Sequence, residues 1–155
     1  MQRTSLAALV AAGGVTAALA ALLTWRFYGS MTSIPVSVSL TLWVLAAVCV
    51  GLAWRVRDRL GDGGIGQDRS QLNPVTAAQF LVVGKAAAWT GTIIGGAYLG
   101  MATYIVPRAG DLIAAADDLP GVLASALGGL AAAAAGVYLE RHCETPPPAD
   151  GEVAG

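Results

Sequence analysis

Four long apolar stretches are the feature that most constrains how this chain can fold. They cover approximately residues 6–24, 36–54, 80–105 and 119–139, and polar segments separate them. An α-helix needs about 20 mainly apolar residues to cross the hydrocarbon core of a bilayer. Only 12% of the 155 residues are charged, about half the share in soluble domains. The sequence therefore predicts an all-α fold, an integral membrane four-helix bundle.

The polar segments suggest a simple division of the chain. Residues 1–143 are expected to form a single transmembrane domain, with a cytoplasmic loop over residues 55–79 between the second and third spans. Residues 144–155 are polar and contain three consecutive prolines, which predicts a disordered cytoplasmic tail. We therefore expect one compact membrane domain followed by a short tail.

Capping residues and prolines suggest where individual helices begin and end. Asn73 and Pro74 are typical of a helix N-cap and first helical position, so the third helix is expected to start there. Pro107 predicts the end of that helix, because proline fits a helix interior poorly. For the fourth span, Asp117 or Asp118 is a candidate N-cap.

The first apolar stretch has two interpretations. A basic start followed by an apolar run is also typical of a cleaved secretory signal peptide. This run of about 18 residues is longer than the hydrophobic region of an ordinary signal peptide. It ends at Trp25, Arg26 and Tyr28, which are typical of an anchor at the membrane surface. We favour an uncleaved span, whereas a mature N-terminus near residue 21 would indicate a signal peptide.

The distribution of arginines predicts the orientation, because short basic loops stay in the cytoplasm. With four spans, the head, the middle loop and the tail lie on one side. That side holds Arg3, Arg55, Arg57, Arg59, Arg69 and Arg141. The other side holds Arg26 and Arg108. The excess predicts a multi-pass membrane protein with both termini in the cytoplasm. The middle-loop residues Arg55, Arg57, Arg59 and Arg69 would determine this topology.

Three short patterns resemble functional motifs but lack the necessary context. Residues 61–66 match G-x-G-x-x-G, yet they follow a membrane helix and three arginines, so a flexible linker is the better interpretation. Gly84-Lys85 lacks the remaining residues of a phosphate-binding loop. His142 and Cys143 offer only two metal ligands. We expect no enzymatic activity, no cofactor and no metal site, and the net charge of −1 suggests no nucleic-acid partner.

Small residues recur at helix-packing intervals in the third and fourth spans. Spans in a membrane associate through close packing of small residues, often four positions apart. The candidate packing residues are Gly91, Gly95, Gly96, Gly100, Gly129 and Gly136. We expect the third and fourth spans to pack tightly within one molecule, with homodimerisation as the competing use of these faces.

Lys85 is the only lysine and lies within the third apolar stretch. A charged side chain in a span is costly and suggests a function, although a lysine near the membrane surface can extend its amine towards water. Glu140, at the end of the fourth span, would lie on the same side of the membrane. Lys85 and Glu140 are therefore predicted to form a buried ion pair that joins these spans.

Two functions fit this pattern. The first is a non-enzymatic scaffold or accessory subunit that binds the lipid bilayer and a membrane protein partner or further copies of itself. The second is a small oligomeric transporter or channel with Lys85 in the solute path. It needs a polar route, which the few embedded residues Thr16, Thr41, Thr90, Thr92 and Ser125 would have to supply.

Several motifs together resemble one family. They are Asn73-Pro74, Ala77-Ala78, Gly84-Lys85-Ala86, Gly91, Gly95 and Gly100, and the ending Gly136-x-x-x-Glu140-x-x-Cys143-x-x-Pro146. Across nearly the whole chain, this pattern is similar to the actinobacterial small membrane proteins of domain of unknown function family 3180. The resemblance implies four membrane spans, a location in a bacterial plasma membrane and no assigned activity. The family has an arginine where this chain has Gln79, so a role for that charge does not transfer.

Overall fold

The computed structural model describes residues 4–31, 35–61 and 74–143. These residues form four α-helices: α1 (Leu6–Phe27), α2 (Ser37–Gly61), α3 (Pro74–Arg108) and α4 (Ile113–Cys143). A short 3-10 turn, Tyr28–Ser30, follows α1. All four helices are long and apolar enough to cross a membrane. The predicted all-α bundle of four membrane-length helices is confirmed.

The starts of two helices follow from local chemistry. Ser5 is the N-cap of α1, and its side chain accepts a hydrogen bond of 3.4 Å from the backbone N–H of Ala8. The third helix begins at Pro74, as predicted, because proline at the first helical position loses no intrahelical hydrogen bond. The predicted N-cap, Asn73, and the predicted tail lie outside the described residues.

The predicted end of α3 and the predicted start of α4 are wrong. Helix α3 continues through Pro107 to Arg108, and α4 begins at Ile113, so that Asp117 and Asp118 lie inside it rather than capping it. The alanines at 114–116 explain the early start of α4, because alanine has the highest helix propensity. Proline is tolerated within membrane helices because small local adjustments satisfy the carbonyl groups that it frees.

The helices lie in the order α1, α3, α4, α2. Helices α3 and α4 form the central antiparallel pair and the largest interface, with α1 packed on α3 and α2 packed mainly on α4. Within the described residues, α1 and α2 do not contact each other. Each outer helix is thus held on one side, and its other faces are exposed.

Two buried apolar clusters lie towards opposite ends of the bundle. The larger combines residues of α2, α3 and α4, among them Val56, Ala77, Leu139 and Cys143. The smaller surrounds Ile105, Ala115 and Val122. We call the end with Thr4, the end of α2, the start of α3 and the end of α4 the termini end. The opposite end, with Trp25, Tyr28, Tyr104 and Arg108, is the aromatic end.

Candidate functional site

Glycines set the distance between α3 and α4. A methyl group on Gly91 would lie 2.5 Å from the backbone nitrogen of Ala133 and 2.6 Å from the carbonyl oxygen of Gly129. One on Gly95 would lie 3.0 Å from the carbonyl carbon of Gly129, and one on Gly136 would collide with the backbone of α3. At Gly91 and Gly136 no side chain larger than hydrogen fits without moving a helix, whereas at Gly95 the neighbouring backbone would have to shift by a few tenths of an ångström.

The remaining predicted packing glycines of α3 face a different helix. A methyl group on Gly96 would lie 2.6 Å from the carbonyl oxygen of Gly13, and one on Gly100 would collide with the carbonyl group of Ala17. Both partners belong to α1. Helix α3 therefore has two glycine faces, one packed on α4 and the other on α1, and both are used within the chain.

Glu140 is the most buried charged side chain described at the termini end, with 3% of its surface exposed. Its Oε1 accepts hydrogen bonds of 2.8 Å from both the backbone N–H and the hydroxyl of Thr4. Its Oε2 is buried and has no hydrogen-bond partner among the described residues. The carboxylate thus ties the start of the chain to the end of α4.

Lys85 lies near this carboxylate along the bundle. Its neighbour Gly84 packs on the end of α4, because a methyl group there would lie 2.9 Å from the backbone nitrogen of Glu140. The Lys85 side chain is half-buried. The hydrogen bonds of the Glu140 carboxylate are with Thr4. The ion pair between Lys85 and Glu140 stays a prediction. Sequence analysis did not single out Thr4, since no local pattern marks a contact 136 positions away.

The aromatic end joins α1, α3 and α4. The Tyr28 hydroxyl donates a 3.0 Å hydrogen bond to Oδ2 of Asp118, which explains how an aspartate is buried inside α4. The Tyr104 ring packs 4.9 Å from that of Tyr28, and the Arg108 guanidinium lies 4.0 Å from the Tyr104 ring centroid. Aromatic and basic side chains of this kind typify the surface of a membrane.

Two of the arginines predicted to determine the topology lie at the termini end. Arg55 and Arg57 are exposed on the last turns of α2. Arg59 belongs to the last turn of α2, and Arg69 lies outside the described residues. The hydrogen bond between Thr4 and Glu140 places the start and end of the bundle together, as an even number of spans requires.

A lateral groove separates α1 from α4. It has a volume of about 690 Å³, with α3 as its floor. Its walls are mainly apolar, and Tyr138 and Arg141 of α4 lie at its termini end. Gly14 of α1 lines it, and a methyl group there would meet nothing within 4 Å. No local sequence pattern indicates this groove.

Metal-ligating side chains do not gather anywhere in the described residues, where no group of three from His, Cys, Asp and Glu could hold an ion. Cys49 and Cys143 are buried free thiols. The His142 ring packs 4.2 Å from that of Tyr138, and its Nδ1 lies 2.8 Å from the Tyr138 carbonyl oxygen. His142 therefore takes part in contacts within the last turns of α4.

Comparison with known proteins places the chain in a family. No curated protein and no solved structure matches it significantly. Residues 9–147 match the family described as Protein of unknown function (DUF3180), and this match covers all four helices apart from the first residues of α1. The chain therefore belongs to the DUF3180 family.

Proposed function

We propose that this protein is a non-enzymatic scaffold or accessory subunit in the plasma membrane of an actinobacterium. The observation that carries this proposal is a pair of small residues on α2 that no other helix of the bundle covers. Ala47 and Gly51, four positions apart on α2, are both exposed, and a methyl group on Gly51 would meet nothing within 4 Å. Such pairs allow two membrane helices to approach closely.

The surroundings of this pair suit a second membrane helix. Leu40, Val44 and Val48 recur every four residues on α2 and are 68%, 54% and 49% exposed. These side chains would pack beside an incoming helix, while Ala47 and Gly51 would let its backbone approach. The partner is a membrane protein or a second copy of this chain.

The orientation follows from the charges. Arg55 and Arg57 lie at the termini end, and basic loops remain in the cytoplasm. The proposal therefore includes N- and C-termini in the cytoplasm.

Two of the five embedded hydroxyl groups, those of Thr16 and Thr41, support this function over transport, whereas the buried Ser125 hydroxyl has no hydrogen-bond partner among the described residues. Thr16 donates to carbonyl oxygens of Ala12 and Gly13, each at 3.0 Å, and Thr41 donates to that of Ser37 at 2.8 Å. These hydroxyls satisfy their own helices, which makes them poor members of a polar route. If transport were the function, Lys85→Ala would abolish solute flux in proteoliposomes.

Purification from membranes in a mild detergent tests the proposed function. The wild-type chain is expected to retain a partner in fixed stoichiometry, and Gly51→Leu is expected to lose it with no change in melting temperature. Ala18→Leu, at an exposed position of α1, is the matched control and should keep the partner. A wild-type chain that purifies as a lone monomer, or a Gly51→Leu variant that keeps its partner, would contradict the proposal.

A further inference from the structure

The groove between α1 and α4 has the length of one leaflet of a bilayer. It extends from Leu6 to Ala17 on α1 and from Arg141 to Leu130 on α4, which is about 16 Å at a rise of 1.5 Å per residue. The hydrocarbon core of a bilayer is about 30 Å thick, so one leaflet contributes about 15 Å. The groove therefore runs from the termini end to about the middle of the membrane.

The volume and the walls of the groove indicate which kind of molecule it can bind. The groove has a volume of about 690 Å³. This volume is within the usual range for a small-molecule site, and the mainly apolar walls suit a hydrocarbon chain.

Arg141, at one end of the groove, indicates which lipid head group would bind there. Arg141 lines the groove, is exposed, and lies in the last turn of α4, where that helix reaches the level of lipid head groups. An arginine guanidinium can bind a phosphate through two parallel hydrogen bonds. The neighbouring Glu140 carboxylate is buried against Thr4 and does not line the groove, so Arg141 is the charged side chain that a head group would contact there.

We propose that this groove binds a single anionic phospholipid of the leaflet at the termini end. One acyl chain lies along α3 between α1 and α4, and the phosphate contacts Arg141. The site is distinct from the outer face of α2, so it does not depend on the proposed protein partner.

Native mass spectrometry of the detergent-purified chain tests this site with two probes. Phosphatidylglycerol and phosphatidylcholine with identical acyl chains are added in turn. The wild-type chain is expected to retain one phosphatidylglycerol in preference to phosphatidylcholine. Arg141→Gln should weaken phosphatidylglycerol binding about fivefold, the factor that corresponds to ~1 kcal/mol for an arginine near a membrane surface. Binding of phosphatidylcholine should weaken less, because its choline cation offsets the charge of its phosphate.

Two substitutions that fill the groove test its apolar part. Gly14→Leu is expected to abolish retention of both lipids, because its side chain projects into open space within the groove. Ala134→Leu, at another exposed lining position, provides a second test if Gly14→Leu folds poorly. Arg57→Gln is the matched charge control, since Arg57 is exposed at the same end but outside the groove.

Equal retention of the two lipids by the wild-type chain would overturn the proposal. So would an equal loss of phosphatidylglycerol in Arg141→Gln and Arg57→Gln. Unchanged binding in a folded Gly14→Leu or Ala134→Leu chain would place the lipid elsewhere on the surface.

Discussion

At Gly91 and Gly129, the backbones of α3 and α4 approach so closely that neither residue has room for a methyl group. Oil–water partition does not draw two spans together once both are in lipid, so this close packing stabilises the pair. Not every glycine of the chain has this role. Gly51 has open space around it, which makes it a natural comparison.

Gly91→Ala is expected to lower the free energy of unfolding by about 1–3 kcal/mol, because the added methyl group forces two backbones apart. Thermal unfolding in detergent measures the change. Gly51→Ala is the control and should leave the melting temperature the same or slightly higher, since alanine favours helix. Equal melting temperatures for the two variants would mean that the glycine contact does not hold α3 against α4.

A second residue-scale test concerns Thr4. Thr4→Val removes the hydroxyl that donates to Glu140 and should destabilise the bundle by about 1–3 kcal/mol, because a buried carboxylate loses a donor. Thr41→Val is the control, since the Thr41 hydroxyl is exposed and bonds only to its own helix. If both valine variants unfold at the wild-type temperature, the contact with Glu140 adds no stability.

At the scale of helices, long apolar stretches predicted the four elements because a membrane span must satisfy its backbone hydrogen bonds internally. The end of α3 and the start of α4 were less predictable, because Pro107 lies inside α3 and Pro120 lies inside α4. The glycines of α3 indicated close packing but could not show which faced α4 and which faced α1. Lipid is as apolar as a protein core, so hydrophobicity does not separate a buried face from a lipid-facing one.

The predicted ion pair between α3 and α4 is tested by a charge swap. Lys85→Glu and Glu140→Lys should each lower the yield of folded protein, because removing one member of a buried pair leaves an uncompensated charge. The double variant should recover part of the loss. Arg57→Glu combined with Glu140→Lys is the control and should recover none, since Arg57 is exposed at the end of α2. Additive losses in the Lys85–Glu140 double variant would exclude the pair.

At the scale of the whole molecule, the four helices run back and forth along the bundle, so that residues 4 and 140 lie at the same end. Thr4 and Glu140 are in contact at the termini end, and Trp25, Tyr28 and Tyr104 gather at the other. Arg55 and Arg57 extend from the termini end. The four apolar stretches in the sequence predict that both ends of the bundle lie together, whereas the lateral groove depends on the spacing of α1 and α4, which no local pattern encodes.

Thiol labelling of intact cells tests the four-span topology most directly. Cys143 is only 4% exposed and would react poorly on either side of a membrane. Single cysteines are therefore introduced at Asp58 and Asp111, which are exposed towards opposite ends, after Cys49 and Cys143 have been replaced by alanine. A membrane-impermeant reagent should label Asp111→Cys in intact cells and Asp58→Cys only after permeabilisation. Labelling of Asp58→Cys in intact cells, or of neither position until the cells are opened, would contradict the topology.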